Sequence, residues 1–162
     1  MITADFQAIL ERLAGNQVDF IVIGRLAASL HGSAYVTQDL GVCYDRCESS
    51  VERLCRALVD LHPTLRGAPE GLPFRFDPAT VGAGLNFILS TDLGPLDLLC
   101  EVVPFGNFDS LRPHAIAMEL VGHRVLVLSL LALIRSKRAA GRPKDLLVIP
   151  ELEALLEMST GG

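Results

Sequence analysis

The sequence predicts an α/β protein of the α+β type, in which helices flank a mixed β-sheet and a short helical segment follows at the C-terminus. Helical and strand-like apolar patterns alternate over residues 1–61, hairpin signals fill residues 83–128, and helical periodicity returns after that. A length of 162 residues fits one domain. We therefore expect a single domain over residues 1–162, with its core at 1–128 and the helical segment 129–162 packed on its cleft.

Composition argues against several classes of protein. The net charge of −5 argues against a broadly basic nucleic-acid binder. Mean hydropathy is high at +0.40, but the richest apolar run, residues 125–134, is about ten residues long. A membrane-spanning helix needs roughly 20. The first 15 residues lack the basic start of a signal peptide. We expect a cytoplasmic protein without a membrane segment.

The four cysteines do not predict a metal site. They lie at positions 43, 47, 55 and 100, form no C-x-x-C pair, and have no histidine at zinc-finger spacing. We expect structural thiols in a reducing compartment.

Helices and strands alternate at the start of the chain. Thr3 has the chemistry of an N-cap, and the apolar residues that follow recur at helical spacing as far as Gly15. A nearly continuous apolar run at 18–23 predicts a strand buried on both faces. Residues 26–30 predict a short helix directly after that strand.

A second strand and a third helix are predicted next. The strand covers residues 37–44, and Ser49 or Ser50 caps the helix after it. Three prolines and two glycines within 62–73 indicate a loop, and residues 74–76 a short strand.

Hairpins and helices complete the chain. Residues 83–90 and 96–102 predict two strands joined by a turn. Residues 115–121 and 124–128 predict a hairpin about Gly122-His123. The helical segment begins with Ser129 as the cap of a helix through Ala139. A last helix covers about 144–158, within which Pro150 either lies inside the helix or starts a separate one.

Three short motifs carry chemistry. Gly24-Arg25 follows the first strand, Asp39 lies two residues before Gly41 in the predicted second strand, and Asp97 stands within the apolar run of the fifth. Residues i and i+2 of a strand share a face. Small residues after a strand let a phosphate approach backbone N–H groups. Carboxylates on adjacent strands suit Mg²⁺, which takes hard oxygen ligands. Asp39 taken alone could instead be a surface acid.

These motifs, in this order and spacing, resemble the nucleotidyltransferase superfamily, which has the polymerase-beta-like fold. They are most similar to the bacterial family that includes the AbiEii-type toxins, and the resemblance extends over residues 20–44, 74–99 and 130–155. It implies a nucleotidyltransferase-like sheet, an NTP ligand and Mg²⁺ held by Asp39 and Asp97. The candidate catalytic residues are Asp39, Asp97 and Asp145, and the candidate nucleotide-binding residues are Gly24, Arg25, Thr37, Lys137 and Arg142.

The C-terminal part of this resemblance lies in a basic stretch. Five cations fall within residues 135–144, which could equally be a solvated helical face. The resemblance implies that Lys137 and Arg142 face nucleotide phosphates, and that Asp145 is a base or a lysine partner. Elsewhere, Thr37 could bind Asp39 or a phosphate, or cap the structure locally.

The chain departs from the family pattern at two positions. Gly41 stands where a second carboxylate is expected, and Arg25 stands where a second small residue is expected. Arg25 could pair with Asp39 and Asp97 in place of the lost metal, point outward to bind triphosphate, or be a solvated arginine at a helix start.

Two functions follow from these departures. The favoured one is a protein with a degenerate active site, impaired or lost catalysis, and a binding or regulatory role. Its partners would be a nucleotide and a macromolecule, either a protein or RNA acceptor or a cognate antitoxin. The alternative is active, Mg²⁺-dependent transfer of a nucleoside monophosphate from an NTP to a hydroxyl of a protein, an RNA or a small molecule.

Overall fold

The computed structural model describes residues 3–35, 37–69 and 71–160. The helices are α1 (Ala4–Gly15), α2 (Gly24–Leu30), α3 (Glu48–Leu58), α4 (Pro78–Ala83), α5 (Phe108–Leu111), α6 (Leu130–Ala140) and α7 (Pro143–Thr160). The strands are β1 (Phe20–Ile23), β2 (Leu40–Tyr44), β3 (Thr64–Leu65), β4 (Phe87–Thr91), β5 (Gly94–Leu99), β6 (Glu101–Val102), β7 (Gly106–Asn107), β8 (Ala115–Leu120) and β9 (His123–Leu128).

Seven strands form one mixed sheet, in the order β3-β4-β5-β2-β1-β9-β8. β1 is antiparallel to β2 and parallel to β9, while β2 is parallel to β5. The β4–β5 and β8–β9 pairs are antiparallel hairpins. The predicted fold class, a mixed sheet flanked by helices, is confirmed.

The register aligns one row of residues across four strands. Ile23 pairs with Gly41, Gly41 with Asp97, and Asp97 with Ile88. Arg66, just beyond β3, extends the row because its backbone N–H donates to the carbonyl of Ile88 at 2.9 Å. Paired residues of adjacent strands share a face of the sheet, so these five positions lie side by side.

Positions that alternate with this row face the core. Leu40, Leu89, Leu96 and Leu98 are fully buried, which is the hydrophobic-in pattern of a sheet covered by helices. Each of these leucines adds roughly 1.5–3 kcal/mol of burial to stability. The core therefore fixes which residues of β2 and β5 point away from it.

Several local predictions are confirmed. Thr3 caps α1 by accepting a hydrogen bond from the Phe6 N–H at 3.2 Å. Ser129 caps α6 in the same way at Ala132, and α6 ends at Gly141 with a left-handed φ of 65°.

Other local predictions are wrong at their boundaries. β2 begins at Leu40 instead of residue 37, because Leu40 is the first residue with a partner on β5. Neither serine caps α3: its N-cap is Cys47, and the hydroxyl of buried Ser50 accepts from the Asp19 N–H.

The middle of the chain differs most from expectation. Residues 74–76 form no strand, and the segment predicted as the start of a strand at residue 83 ends helix α4. Asp77 caps that helix at Thr80. The loop predicted at 62–73 contains β3, which pairs with β4.

The last hairpin and the last helix also differ in detail. The turn between β8 and β9 is Val121-Gly122, both with positive φ, so it lies one residue earlier than predicted. Pro150 lies inside the continuous helix α7, and Pro143 opens that helix. No helix within the described residues is long and apolar enough to cross a membrane.

Candidate functional site

Asp97 is bound by an arginine that the sequence did not single out. Arg66 donates from Nη2 to Oδ1 of Asp97. The same guanidinium donates from Nη1 to the carbonyl of Leu89 at 2.9 Å. With the bond from its backbone N–H to Ile88, Arg66 is fixed at three points. Side-chain exposures of 29% and 25% show that Arg66 and Asp97 are only partly screened by solvent.

The sequence carried almost no signal for Arg66. It follows a strand of only two residues and precedes Gly67, within a segment rich in proline and glycine. Such a segment has no periodic pattern from which an element can be predicted. The strand forms because β4 offers it hydrogen-bond partners, which is a tertiary effect.

Gly41 leaves the position beside Asp97 without a functional group. A Cβ added there would lie 3.5 Å from Cγ1 of Ile23, which is ordinary van der Waals contact. A Cβ is therefore accommodated at this position without a clash.

Asp39 is exposed and lies directly before the first residue of β2. Its backbone carbonyl accepts a hydrogen bond from the Thr37 hydroxyl at 2.9 Å, so Thr37 makes a local backbone contact. Within the three described ranges, Asp39 takes part in no ion pair.

The structure does not add a third acid to the two predicted Mg²⁺ ligands among the residues that it describes. No group of three or more His, Cys, Asp or Glu side chains in the described part of the chain has the geometry of a metal site. Of the two predicted ligands, Asp97 is engaged by Arg66, and Asp39 precedes the strand that was expected to position it.

Gly24 and Arg25 open helix α2 directly after β1. Gly24 has a φ of +66°, a conformation that favours glycine, and Arg25 is exposed. No ion pair joins Arg25 to Asp39 or Asp97 among residues the structure describes. The hypothesis that Arg25 pairs with these acids is therefore wrong: Arg66 has that role at Asp97.

A second cluster lies between helices α6 and α7. Asp145 is 1% exposed and accepts from Nε of Arg142 at 2.6 Å, from its Nη2 at 3.2 Å and from its backbone N–H at 3.2 Å. Nζ of Lys137 lies 3.4 Å from the same carboxylate. Asp145 thus acts as the lysine partner that the sequence suggested, and it also satisfies a backbone N–H at the start of α7.

The protonation states follow from burial and charge. Burial alone would raise the pKa of Asp145, but the hydrogen bond from Arg142 and the charges of Lys137 and Arg142 together hold it below its ordinary value. The pKa of Lys137 is lowered chiefly by burial, with smaller contributions from the charges of Arg142 and Arg25, and the charge and hydrogen bond of Asp145 oppose this shift. An ionised carboxylate with all these donors is a weak general base.

The two predicted phosphate-binding regions lie on neighbouring helices, Arg25 on α2 and Lys137 on α6. Helix α2, which carries Arg25, packs against both α6 and β2. Glu151 of α7 fixes the segment after α2, because its carboxylate accepts from the Ser33 hydroxyl at 2.5 Å and from the Ala34 N–H at 2.9 Å. Nε2 of His31 lies 2.9 Å from the backbone carbonyl oxygen of Leu128, so this histidine has a role in packing.

Comparisons with known proteins support the fold. No family model and no curated protein sequence matches the chain. A solved structure of a candidate nucleotidyltransferase from Thermotoga maritima superposes with a TM-score of 0.55 at 16% identity, covering 100% of this chain and 97% of that one. At this identity the similarity establishes the fold alone. The chain therefore has a nucleotidyltransferase-like α+β fold.

Proposed function

We propose that this chain is a nucleotidyltransferase-fold module that binds the phosphates of a nucleotide without catalysing magnesium-dependent nucleotidyl transfer. The observation that carries the proposal is the pairing of Asp97 with Arg66, beside Gly41, which has no side chain. The guanidinium of Arg66 occupies one oxygen of Asp97 and offsets its charge, which weakens this carboxylate as a metal ligand. Its neighbour on β2 offers no second oxygen.

The cations at α2, α6 and α7 supply the phosphate-binding chemistry. Arg25, Lys137 and Arg142 oppose one acid, Asp145, so the cluster keeps an excess of positive charge. Arg142 binds Asp145 through Nε and Nη2, which leaves Nη1 of its 59% exposed side chain for a ligand, and Arg25 is exposed. Guanidinium groups bind phosphate oxygens through paired donors.

Calorimetric titration with ATP tests phosphate binding. We expect ATP to bind equally well with MgCl₂ and with EDTA, and Arg142→Gln to weaken binding about tenfold, or roughly 1.4 kcal/mol. Arg138→Gln is the matched control: it removes a cation from the same pair of helices, at an ion pair with Glu153 whose side chains are 56% and 48% exposed. Equal losses in the two variants would show that binding reflects general charge and not this cluster.

A restoring variant tests the loss of the metal site. Gly41→Asp combined with Arg66→Gln supplies the missing carboxylate and frees Asp97. We expect Mg²⁺ to strengthen ATP binding to this variant and not to the native chain. The conservative double variant Gly41→Ala with Arg66→Gln controls for changes in packing.

Active nucleotidyl transfer is the competing function. Incubating the native chain with ATP labelled on its α-phosphate, Mg²⁺ and candidate acceptors decides between the two. Mg²⁺-dependent label transfer that Asp97→Asn abolishes would contradict the proposal, because it would show that Asp97 acts at the metal despite its pairing with Arg66.

The biological setting is proposed from the resemblance alone. Similarity to the bacterial family that includes AbiEii-type toxins suggests a regulatory role in the cytoplasm. It also suggests a cognate antitoxin or an acceptor protein or RNA as partner. Coexpression with a candidate antitoxin, followed by affinity purification of the tagged chain, tests this: a stoichiometric complex is the expected result.

A further inference from the structure

A cavity of about 270 Å³ lies at the opposite end of β1 from Gly24. Strands β1 and β9 run parallel, and the cavity is formed where both begin. The first residue of β1 lies four positions before Gly24, which is about 13 Å along a strand. The cavity is therefore separate from the nucleotide-binding cluster proposed above.

Apolar residues contribute to the floor of this cavity, while polar atoms make up the larger part of its surface. The apolar residues include Val18, Phe20, Phe108 and Val125, each between 2% and 7% exposed. Two of these residues are aromatic, and α5 places Phe108 against the start of the sheet. These residues offer a small apolar area against which the edge of a ring or a short aliphatic chain can pack.

The rim of the cavity carries unpaired positive charge. Arg112 and Arg124 line it and are exposed, and neither forms an ion pair among the residues that the structure describes. Glu119 faces Arg124 across the β8–β9 hairpin but does not come within ion-pair distance of it. His123 adds ring nitrogens to the same rim.

The acidic side chain and one backbone carbonyl beside this cavity, which would repel an anion, are both bound by Arg53. Asp19 is the acid of the lining, and its Oδ2 lies 3.3 Å from Nη2 of Arg53. The same guanidinium donates from Nε to the carbonyl of Gln17 at 2.9 Å, which removes another acceptor. Arg53 thus neutralises this side of the rim and leaves Arg112 and Arg124 to attract a ligand.

We propose that this cavity binds a small organic anion, a phosphate or carboxylate carried on an apolar body. The two guanidinium groups of Arg112 and Arg124 bind the charged end, because planar forks match the oxygens of both anions. The floor at Phe20 and Phe108 covers the apolar body. The cavity suits a ligand smaller than a nucleotide, since its volume lies at the lower limit of small-molecule pockets.

Two-dimensional ¹H–¹⁵N NMR titration tests the proposal with phenyl phosphate and benzoate as probes. We expect at least one of them to shift the amides of Val18, Phe20 and Val125 in a saturable manner. Inorganic phosphate and neutral benzyl alcohol should each bind about tenfold more weakly at these amides, because each lacks one half of the recognition. The double variant Arg112→Gln with Arg124→Gln should weaken probe binding at least tenfold.

Controls keep the outcome decisive. Arg75→Gln removes an exposed cation that does not line the cavity, so it should leave the affinity unchanged. If the double variant does not fold, Arg124→Gln alone replaces it, with an expected loss of about threefold to tenfold.

Several results would overturn the assignment. The first is the absence of a saturable shift with either probe up to about 10 mM. The second is binding of benzyl alcohol or inorganic phosphate as tight as that of the probes. The third is an unchanged probe affinity in the arginine variants. Shifts confined to amides of α6 and α7 would also overturn it, because they would assign the anion to the nucleotide-binding cluster.

Discussion

Replacing Asp145 with asparagine should destabilise the protein by removing the one negative charge between α6 and α7 that is buried. The carboxylate receives three hydrogen bonds from Arg142 and one contact from Lys137, and asparagine keeps one acceptor oxygen and no charge. Lys137 would then remain a largely buried cation, 18% exposed, without its partner.

The magnitude follows from how well each partner can be resolvated. Removing one member of a fully buried ion pair costs about 3–5 kcal/mol. Arg142 is 59% exposed, so its charge returns to water at little cost, whereas Lys137 cannot do so without moving. We therefore expect Asp145→Asn to lower the free energy of unfolding by about 3 kcal/mol, a large share of the roughly 5–15 kcal/mol of a typical domain.

Urea unfolding followed by circular dichroism measures this loss. At an m value of about 2 kcal/mol per molar, the midpoint should fall by about 1.5 M. Glu153→Gln is the control, because its pair with Arg138 also joins α6 and α7 but is half exposed and should contribute at most about 1 kcal/mol. A midpoint for Asp145→Asn that matches the control would refute the reasoning.

The pH dependence of the same two proteins is a second check. Because the folded pKa of Asp145 lies below its ordinary value of 3.8, its stabilisation is complete well above that pH. It is lost as the pH falls through 3.8 toward the lower folded pKa. The stability difference between the native chain and Asp145→Asn should therefore be constant near neutral pH and shrink in acid. A difference that grows on acidification would contradict this assignment.

Two further predictions concern packing and thiol chemistry. Gly84→Ala should lower the free energy of unfolding in urea by about 1–3 kcal/mol, because its Cβ would overlap the buried ring of Phe87. In the control Gly82→Ala, the added Cβ meets no atom within 4 Å, so this variant should be neutral or stabilising. Equal effects of the two substitutions would contradict the packing argument. Iodoacetamide at about pH 8 should alkylate exposed Cys47 long before Cys43, because burial raises the pKa of the Cys43 thiol to about 12. Peptide mass spectrometry measures the two alkylation rates, and equal rates would refute this prediction.

Local signals in the sequence were sufficient for much of the fold. Thr3 and Ser129 cap their helices as predicted, because a capping hydroxyl bonds a backbone N–H only three residues away. The alternation of helix and strand and the last hairpin were also predicted, because apolar periodicity reports which face of an element is buried. The hairpin turn was misplaced by one residue, since its glycine fits either position.

The boundary of β2 and the partner of Asp97 could not be predicted in this way. Where β2 begins depends on pairing with β5, a strand more than fifty residues later in the chain. Arg66 reaches Asp97 because β3 adds to the edge of β4, and two residues carry too little periodicity to be recognised as a strand. Both features depend on contacts between distant parts of the chain.

The sequence by itself determined the fold class and the absence of a carboxylate at position 41, because both depend on residue type and spacing. It also indicated that Asp145 could be a lysine partner. Only the tertiary structure decided that Arg66, and not Arg25, neutralises Asp97. The physical reason is that a partly buried carboxylate in a sheet is stabilised by pairing with a cation whose position is fixed nearby. The strand order decides which cation is held there.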